Sequence, residues 1–519
     1  MIPEGVTEIK HNNFPYSELN SVTIPEGVTS VGDYAFENST VNKISFPASL
    51  TSIGTWAFNG TLSNADNELH IKDIASWATN IEPNRFGGSS ASNINVYING
   101  EIIKDLVIPE GVTNIPGGFN GWNIETVTLP KSLEEIGNQA FRGCKKLKLI
   151  FSKSKFAPTL NRSSIQRAEF YITSSGSYGS ALTAIYVPAG KSSTYKNSWT
   201  DHADIIKEAD PEVAGDQSIS SISELRAACT AIYGATTYLD LTNATLDETV
   251  TAEALGAGED NVLYYLPSGT DVTGDNIVVD GVASNVKLTD GQAINVPSEF
   301  TANNVTYSRT LSAGEFSTLC LPYDSPLPTG IRAYSMKAEN SSGKLVFKEV
   351  ASVKANEPYL VEATADVSFI SATDVTMQVT PEEMTDGGIS GFEFRGTLMP
   401  LSHDEAVEIG AYMLDSNKKW IPVADADPSA SVVACRAYLV PSEDKAKESI
   451  SCVFRHLDDV EVPSDVNMDG EVDSNDVVAV VNIIAGMTGD DSVEDADING
   501  DGKTDIADII ALINLLLEK

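Results

Sequence analysis

Apolar residues recur at fixed intervals through the first two hundred positions. Ile24, Val28, Val31, Ala35 and Phe36 return as Phe46, Leu50, Ile53, Ala57 and Phe58, with polar runs between them. The string IPEGVT stands at 2–7, 24–29 and 108–113, with degenerate copies at 46–51 and 129–133. Its prolines, Pro3, Pro25, Pro47, Pro109 and Pro130, are spaced by 22, 22 and 21 residues around a gap of 62. Such a period predicts a solenoid, whose coils bury their apolar face only by stacking on a neighbour. Each coil should hold a short strand, a turn at the glycine of the V-G or I-G step, and a second stretch carrying the Ala-Phe pair. Residues 59–106 follow the pattern poorly.

Past the repeat, Ala209 to Asp216 reads as a polar linker with turn formers. Residues 223–233 have helical spacing through Leu225, Ala228, Cys229 and Ile232, and apolar runs at 238–241 and 262–266 predict strands. From 306 onward strand and turn alternate, at 307–311, 317–321, 344–350, 359–363, 411–414 and 436–439, which is the spacing of a sandwich. The period changes again near the end. There 477–484 and 509–516 are matched apolar runs that read as helices, each following a twelve-residue acidic stretch.

Those two stretches superimpose without gaps, with first residues 32 apart. One runs from Asp465 to Asp476 and the other from Asp497 to Asp508. Oxygen-bearing residues at positions 1, 3, 5, 9 and 12, a main-chain carbonyl at 7 and glycine at 6 are what a hard cation of calcium's size requires. The candidate ligands are Asp465, Asn467, Asp469, Asp473 and Asp476, with Glu471 through its carbonyl; in the second loop they are Asp497, Asn499, Asp501, Asp505 and Asp508, with Lys503 through its carbonyl. Two Ca2+ ions are expected. Position 12 is Asp rather than the Glu of an ordinary EF-hand, so this end of the loop must lie nearer the ion.

At 519 residues, with 42% apolar and 21% charged residues, the chain should fold as several domains. The net charge of −39 opposes nucleic acid and anionic membrane surfaces. Residues 458–519 hold seventeen carboxylates against Lys503 and Lys519, a charge that a bound cation would neutralise. The five cysteines are odd in number and widely spaced, so buried free thiols are expected, with Cys435 and Cys452 as an alternative pair. No run reaches the roughly 18 apolar residues of a membrane-spanning helix, so no membrane insertion is expected. Because 2–9 reads as the middle of a coil, the natural protein is expected to start earlier.

The pattern I-P-x-x-V-T-x-[IV]-G-x-x-A-F resembles the BspA-like class of leucine-rich repeats of bacterial surface proteins, over about 2–208. The duplicated loop and helix over 465–517 resembles the type I dockerin family. Segments such as 319–323 and 356–360 are similar to β-rich modules of secreted proteins from gut Bacteroidetes-type bacteria. The resemblance implies a multidomain, mainly β protein: leucine-rich-repeat solenoid at 1–208, mixed β-rich domain at 217–303, β-sandwich-like domain at 304–456 and a small α-helical calcium-binding dockerin-like domain at 463–519. It further implies an extracellular or cell-surface location, protein binding or adhesion by the solenoid, and a cohesin-like partner for the dockerin-like domain. Two alternatives stand beside docking: a glycan-binding subunit of a polysaccharide-degrading complex, or an adhesin for a host or microbial protein whose calcium domain is structural.

Nothing selects a catalytic group. The chain lacks G-x-S-x-G, H-E-x-x-H and Walker-type segments, its five histidines are scattered, and no motif singles out one carboxylate pair among 73 Asp and Glu. No enzyme activity is expected. Trp56, Trp77, Trp122 and Trp199 read as core or coil-edge packing, and Trp420 and Tyr412 as buried strand residues rather than a glycan platform.

Overall fold

The computed structural model describes residues 2–62, 67–81, 94–137, 140–160, 182–339, 343–385, 388–389, 391–446, 449–457, 464–466, 472–485, 496–499 and 503–517. It divides into two compact units, Met1–Pro211 with Ser223–Ala235, and Glu212–Ile222 with Thr236–Lys519.

In the first unit the 21–22-residue period becomes strand register. Glu8–Ile9, Ser30–Val31 and Ser52–Ile53 form one parallel ladder, pairing Glu8 with Ser30 and Ser30 with Ser52. Ser21–Thr23, Lys43–Ser45, Asn67–Ile71 and Ile94–Ile98 form a second, closed by the antiparallel Glu101–Ile103. Two further ladders continue the array. One runs through Asp105–Val107, Thr126–Leu129, Leu149–Ser152, Ala184–Pro188 and Ile206–Ala209, the other through Asn114–Ile115, Glu135–Ile136 and Thr159–Leu160. Between the ladders a continuous core runs from Ile9 to Ile206. The Ala-Phe positions stack through it: Phe14 on Phe36 at 5.2 Å, Phe36 on Phe58 at 5.1 Å and Phe119 on Phe141 at 5.2 Å.

The glycines of the repeat do two different jobs. Gly5, Gly27 and Gly111, in the E-G step, have φ of 86°, 93° and 88° and make the turn after the proline. The glycines of the V-G and I-G step were expected to turn, but Gly32, Gly54 and Gly137 are needed for close approach. A Cβ on Gly32 would stand 2.6 Å from the His11 amide nitrogen of the preceding coil, and Gly54 and Gly137 are tighter still against backbone. Each amide bonds across that contact, Gly32 to the Ile9 carbonyl at 2.7 Å and Gly137 to the Ile115 carbonyl at 2.7 Å.

The irregular stretch is also a coil. Helix Ile74–Asn80, capped by Asp73 accepting from the Ser76 amide, replaces the Ala-Phe turn and brings in buried Trp77. Trp77 packs between Phe46 and Trp122 and donates its indole N–H to the Gly118 carbonyl at 3.1 Å.

Helix formation around 223–233 begins a turn earlier than its apolar pattern, at Ile219. Ala228, Cys229 and Ile232 bury against Phe151, Tyr186 and Ala209 of the last coils. Tyr233 accepts from the Ala189 amide and donates to the Ala209 carbonyl, both at 2.9 Å. The polar linker expected at 209–216 is a correction. Ile206–Ala209 and Glu212–Gln217 are both strands, and the second pairs in parallel with Tyr238–Leu246. Its side chains are mostly exposed, so the hydrophobic pattern carried no signal of it.

In the second unit Glu212–Gln217, Tyr238–Leu246, Leu263–Leu266 and Ile277–Val279 are successive parallel strands of an eight-stranded sheet. Phe300–Leu311 belongs to the same sheet and pairs antiparallel with Val367–Met377. This strand runs unbroken across 303–304, where the sequence reading divided the chain. A nine-stranded sheet follows, in spatial order Phe316–Leu319, Tyr359–Ala363, Ile331–Glu339, Leu345–Val350, Ile450–Arg455, Lys419–Pro422, Tyr412–Leu414, Arg436–Pro441 and Phe392–Thr397. One core, from Leu263 and Tyr307 through Leu321 and Val361, draws on both sheets. A second, built on Tyr334, Phe347, Phe394 and Trp420, belongs to the nine-stranded sheet alone. That sheet curls: the Ala437 amide reaches Thr318 Oγ1 at 2.9 Å and the Cys320 amide reaches the Cys435 carbonyl at 3.2 Å.

Candidate metal centre

Helices Ser474–Ile484 and Ile506–Leu517 each start inside their acidic loop, at position 10, three residues before the apolar runs suggest. The cause is visible in the sequence once the loop register is set. Position 9 is the N-cap and position 12 lies three residues into the helix, so two aspartates close a capping box. Asp473 Oδ1 accepts from the Asn475 amide at 2.7 Å while the Asp473 amide donates to Asp476 Oδ2 at 2.7 Å. The second loop repeats the arrangement. Asp505 Oδ1 accepts from the Ala507 amide at 2.7 Å, and the Asp505 amide donates to Asp508 Oδ2 at 2.8 Å.

Asp476 and Asp508 are fully buried, which is unusual for aspartate. Around Asp508, burial works to raise the carboxyl's pKa. Backbone amides of Asp505, Asn499 and Ile498 outweigh it and hold the group below the ordinary aspartate range, so the buried group is an anion. Its other oxygen takes the Asn499 amide at 3.1 Å, tying position 12 back to position 3. The helices pack on one another through Val480 and Leu512, equivalent residues 32 apart, with Val466, Val472 and Ala496 completing the core. Val466 and Val472, at loop positions 2 and 8, were not singled out from sequence. Their signal was the apolar residue at position 2 of both loops, Val466 and Ile498.

Of the remaining candidate ligands, Asp465 and Asp497 are half-buried and Asn499, Lys503 and Asp505 exposed, while Asn467, Asp469, Glu471 and Asp501 lie outside the described residues. Among the described residues no three His, Cys, Asp or Glu converge on a metal-holding point. The donor chemistry nonetheless suits a hard cation. Each loop brings a buried carboxylate and a capping carboxylate to one end, the oxygen donors a hard cation takes.

Residues 463–517 match the Dockerin type I domain. The terminal module is a dockerin-type calcium-binding module. Residues 1–108 and 94–176 match the BspA type leucine-rich repeat region, in six copies. Both are non-catalytic module types, found on bacterial surface or secreted proteins and associated with protein contact. Among solved structures, a leucine-rich repeat protein from Bacteroides ovatus ATCC 8483 is 16% identical over 56% of this chain and 72% of its own, with a TM-score of 0.20. A leucine rich cell surface protein from Faecalibacterium prausnitzii A2-165 is 14% identical over 54% and 85%, with a TM-score of 0.17. The pneumococcal vaccine antigen PcpA is 14% identical over 40% and 76%, with a TM-score of 0.14. No curated protein matches the chain.

Elsewhere the candidate chemistry resolves into packing. All five cysteines are free, so Cys435 and Cys452 are not paired, and burial pushes the Cys144 thiol up to about 12. Trp420 and Tyr412 are buried, as are Trp77, Trp122 and Trp199, whereas Trp56 is 37% exposed. His70 and His456 have acidic neighbours, Glu68 at 3.0 Å and Glu349 at 3.4 Å. Among the described residues no helix is long and apolar enough to cross a membrane.

Proposed function

We propose that this is a non-catalytic secreted or cell-surface protein that docks through its dockerin-type module, in a calcium-dependent way, onto a cohesin-like domain of a scaffold or surface protein. The solenoid at the other end of the chain then presents the ligand-contacting surface. The observation that carries the reading is the duplicated loop and helix, in which buried Asp476 and Asp508 occupy the same capping geometry 32 residues apart. Each loop holds one ion: Asp465, Asn467, Asp469, Asp473 and Asp476 with the Glu471 carbonyl in the first, and Asp497, Asn499, Asp501, Asp505 and Asp508 with the Lys503 carbonyl in the second. Clustered anions around one point repel unless a cation joins them, so metal binding and folding of the module are coupled.

Positions 10 and 11 are Ser474-Asn475 in one half and Ile506-Ala507 in the other. The two halves therefore present different chemistry to a partner. Immobilised full-length protein should retain purified cohesin domains in calcium and release them in chelator, and Asp465→Ala with Asp497→Ala should abolish retention. Calcium titration should count two ions on the native chain. Two ions bound with no cohesin retained would leave calcium a purely structural role and sink the docking reading.

A further inference from the structure

The first three coils hold their backbone in the left-handed region at two equivalent places. The first place is Asn12, Tyr34 and Trp56, 22 residues apart, with φ of 53°, 57° and 56°. The second is Tyr16, Asn38 and Gly60, with φ of 54°, 54° and 76°. Glycine and asparagine enter this region at least cost, and a bulky aromatic residue there is an outlier. Asn12, Asn38 and Gly60 are what the geometry favours. Yet each coil spends one of its two sites on a ring: Tyr16, then Tyr34, then Trp56.

Core packing does not account for these rings. Tyr16 is 72% exposed and Trp56 37%, Tyr34 is half-buried with its ring edge-on to His11 at 5.7 Å, and the buried stack belongs to Phe14, Phe36 and Phe58. The coil hydrogen bonds at these places use only backbone: the Asn12 amide to the Asp33 carbonyl at 3.2 Å, and the Tyr34 amide to the Thr55 carbonyl at 3.1 Å. Asn12 makes its bond without a ring, so the turn does not need one. Backbone strain kept against the local preference, on side chains outside the core stack, marks a functional surface.

We propose that Tyr16, Tyr34 and Trp56 form a stacking platform for an uncharged polysaccharide chain. Successive coils repeat every 5.1–5.2 Å, as the phenylalanine stack measures; Tyr34 and Trp56 hold the same turn position in neighbouring coils and Tyr16 the second position of the coil before them, so each coil offers one aromatic side chain to a ligand that itself repeats. Sugar rings present C–H faces to an aromatic ring and hydroxyl edges to planar polar groups. Such groups flank the platform: Asp33, whose Oδ1 accepts from the Thr55 amide at 2.6 Å, and Glu37, which accepts from Asn59 Nδ2 at 3.2 Å. These carboxylates and the chain's net charge of −39 oppose an anionic polymer. The interspersed polar residues also break the contiguous apolar patch that a protein interface core requires. This inference is independent of cohesin docking, which uses the other end of the chain.

Native gels cast with xyloglucan, arabinoxylan or galactomannan, with polygalacturonate as the charged comparison and a blank gel, test it on the full chain. The native protein should be retarded in at least one neutral gel. Tyr34→Asn and Trp56→Asn should each remove most of that retardation while the solenoid melting temperature stays level or rises, because asparagine relieves the backbone. Three results would overturn the proposal: migration unchanged in every neutral gel, retardation in polygalacturonate alone, or loss of retardation together with a fall in melting temperature, which would make the rings packing elements.

Discussion

A methyl group on Gly32 would press on the His11 amide nitrogen at 2.6 Å, where the close atoms are all backbone of residues 9–11 and no flexible side chain can yield. Gly32→Ala should therefore destabilise the solenoid by about 1–3 kcal/mol, the usual scale for overpacking, and Gly27→Ala should lose stability through its φ of 93° instead. Denaturant unfolding of each variant measures both. The same scale governs a charge cluster in the second unit. Arg436 clamps Asp290 with both guanidinium ends, Nη2 to Oδ2 at 2.6 Å, Tyr307 donates to the same carboxylate, and Arg309 lies buried beside it. Burial would raise the Asp290 pKa, but Arg436 and Tyr307 prevail and hold it below an ordinary aspartate. The unfolded chain then takes up this proton first as pH falls. The cluster's contribution is whole above about pH 4 and is lost progressively as pH drops through the folded value. Asp290→Asn should cost about 3 kcal/mol near neutrality, since it leaves the largely buried Arg436 without its carboxylate and removes the counter-charge beside buried Arg309, and should flatten the acid limb of stability against pH. None of this was legible in the sequence, because Asp290, Tyr307 and Arg436 are brought together only by the fold.

At the scale of elements, legibility followed periodicity. The coils announced themselves because 22-residue spacing in sequence is parallel register in space, Ser21 opposite Lys43 and Glu8 opposite Ser30. The loop and helix units did so because Asp473, Asp476, Asp505 and Asp508 serve both as candidate ligands and as caps. What stayed hidden were strands with exposed side chains, such as Glu212–Gln217, and the order of the nine-stranded sheet, whose neighbours Leu345–Val350 and Ile450–Arg455 lie a hundred residues apart. The caps carry a prediction of their own. Asp508→Ala removes the acceptor of the Asp505 and Asn499 amides, so helix Ile506–Leu517 should fray from its start even in calcium. Faster amide exchange at Ala507 and Asp508, with helix Ser474–Ile484 less affected, is the expected result.

Across the whole molecule, calcium should act on one part only. At a hundredfold excess over its dissociation constant an ion adds about 2.7 kcal/mol to the state that binds it. Asp465→Ala with Asp497→Ala should therefore erase calcium-dependent exchange protection in 464–517 and leave Ile24 to Phe141 as in the native chain; equal protection in the double variant would refute the ligand assignment. The phenylalanine stack has a different consequence, for how such a chain changes over generations. Phe14, Phe36 and Phe58 are interchangeable rungs, and so are Gly32 and Gly54. Excising residues 24–45 would join Thr23 to Phe46 with strand, proline and ring positions all back in phase. Unequal crossing-over within the gene can therefore shorten or lengthen the array by whole coils without a single new contact having to be invented.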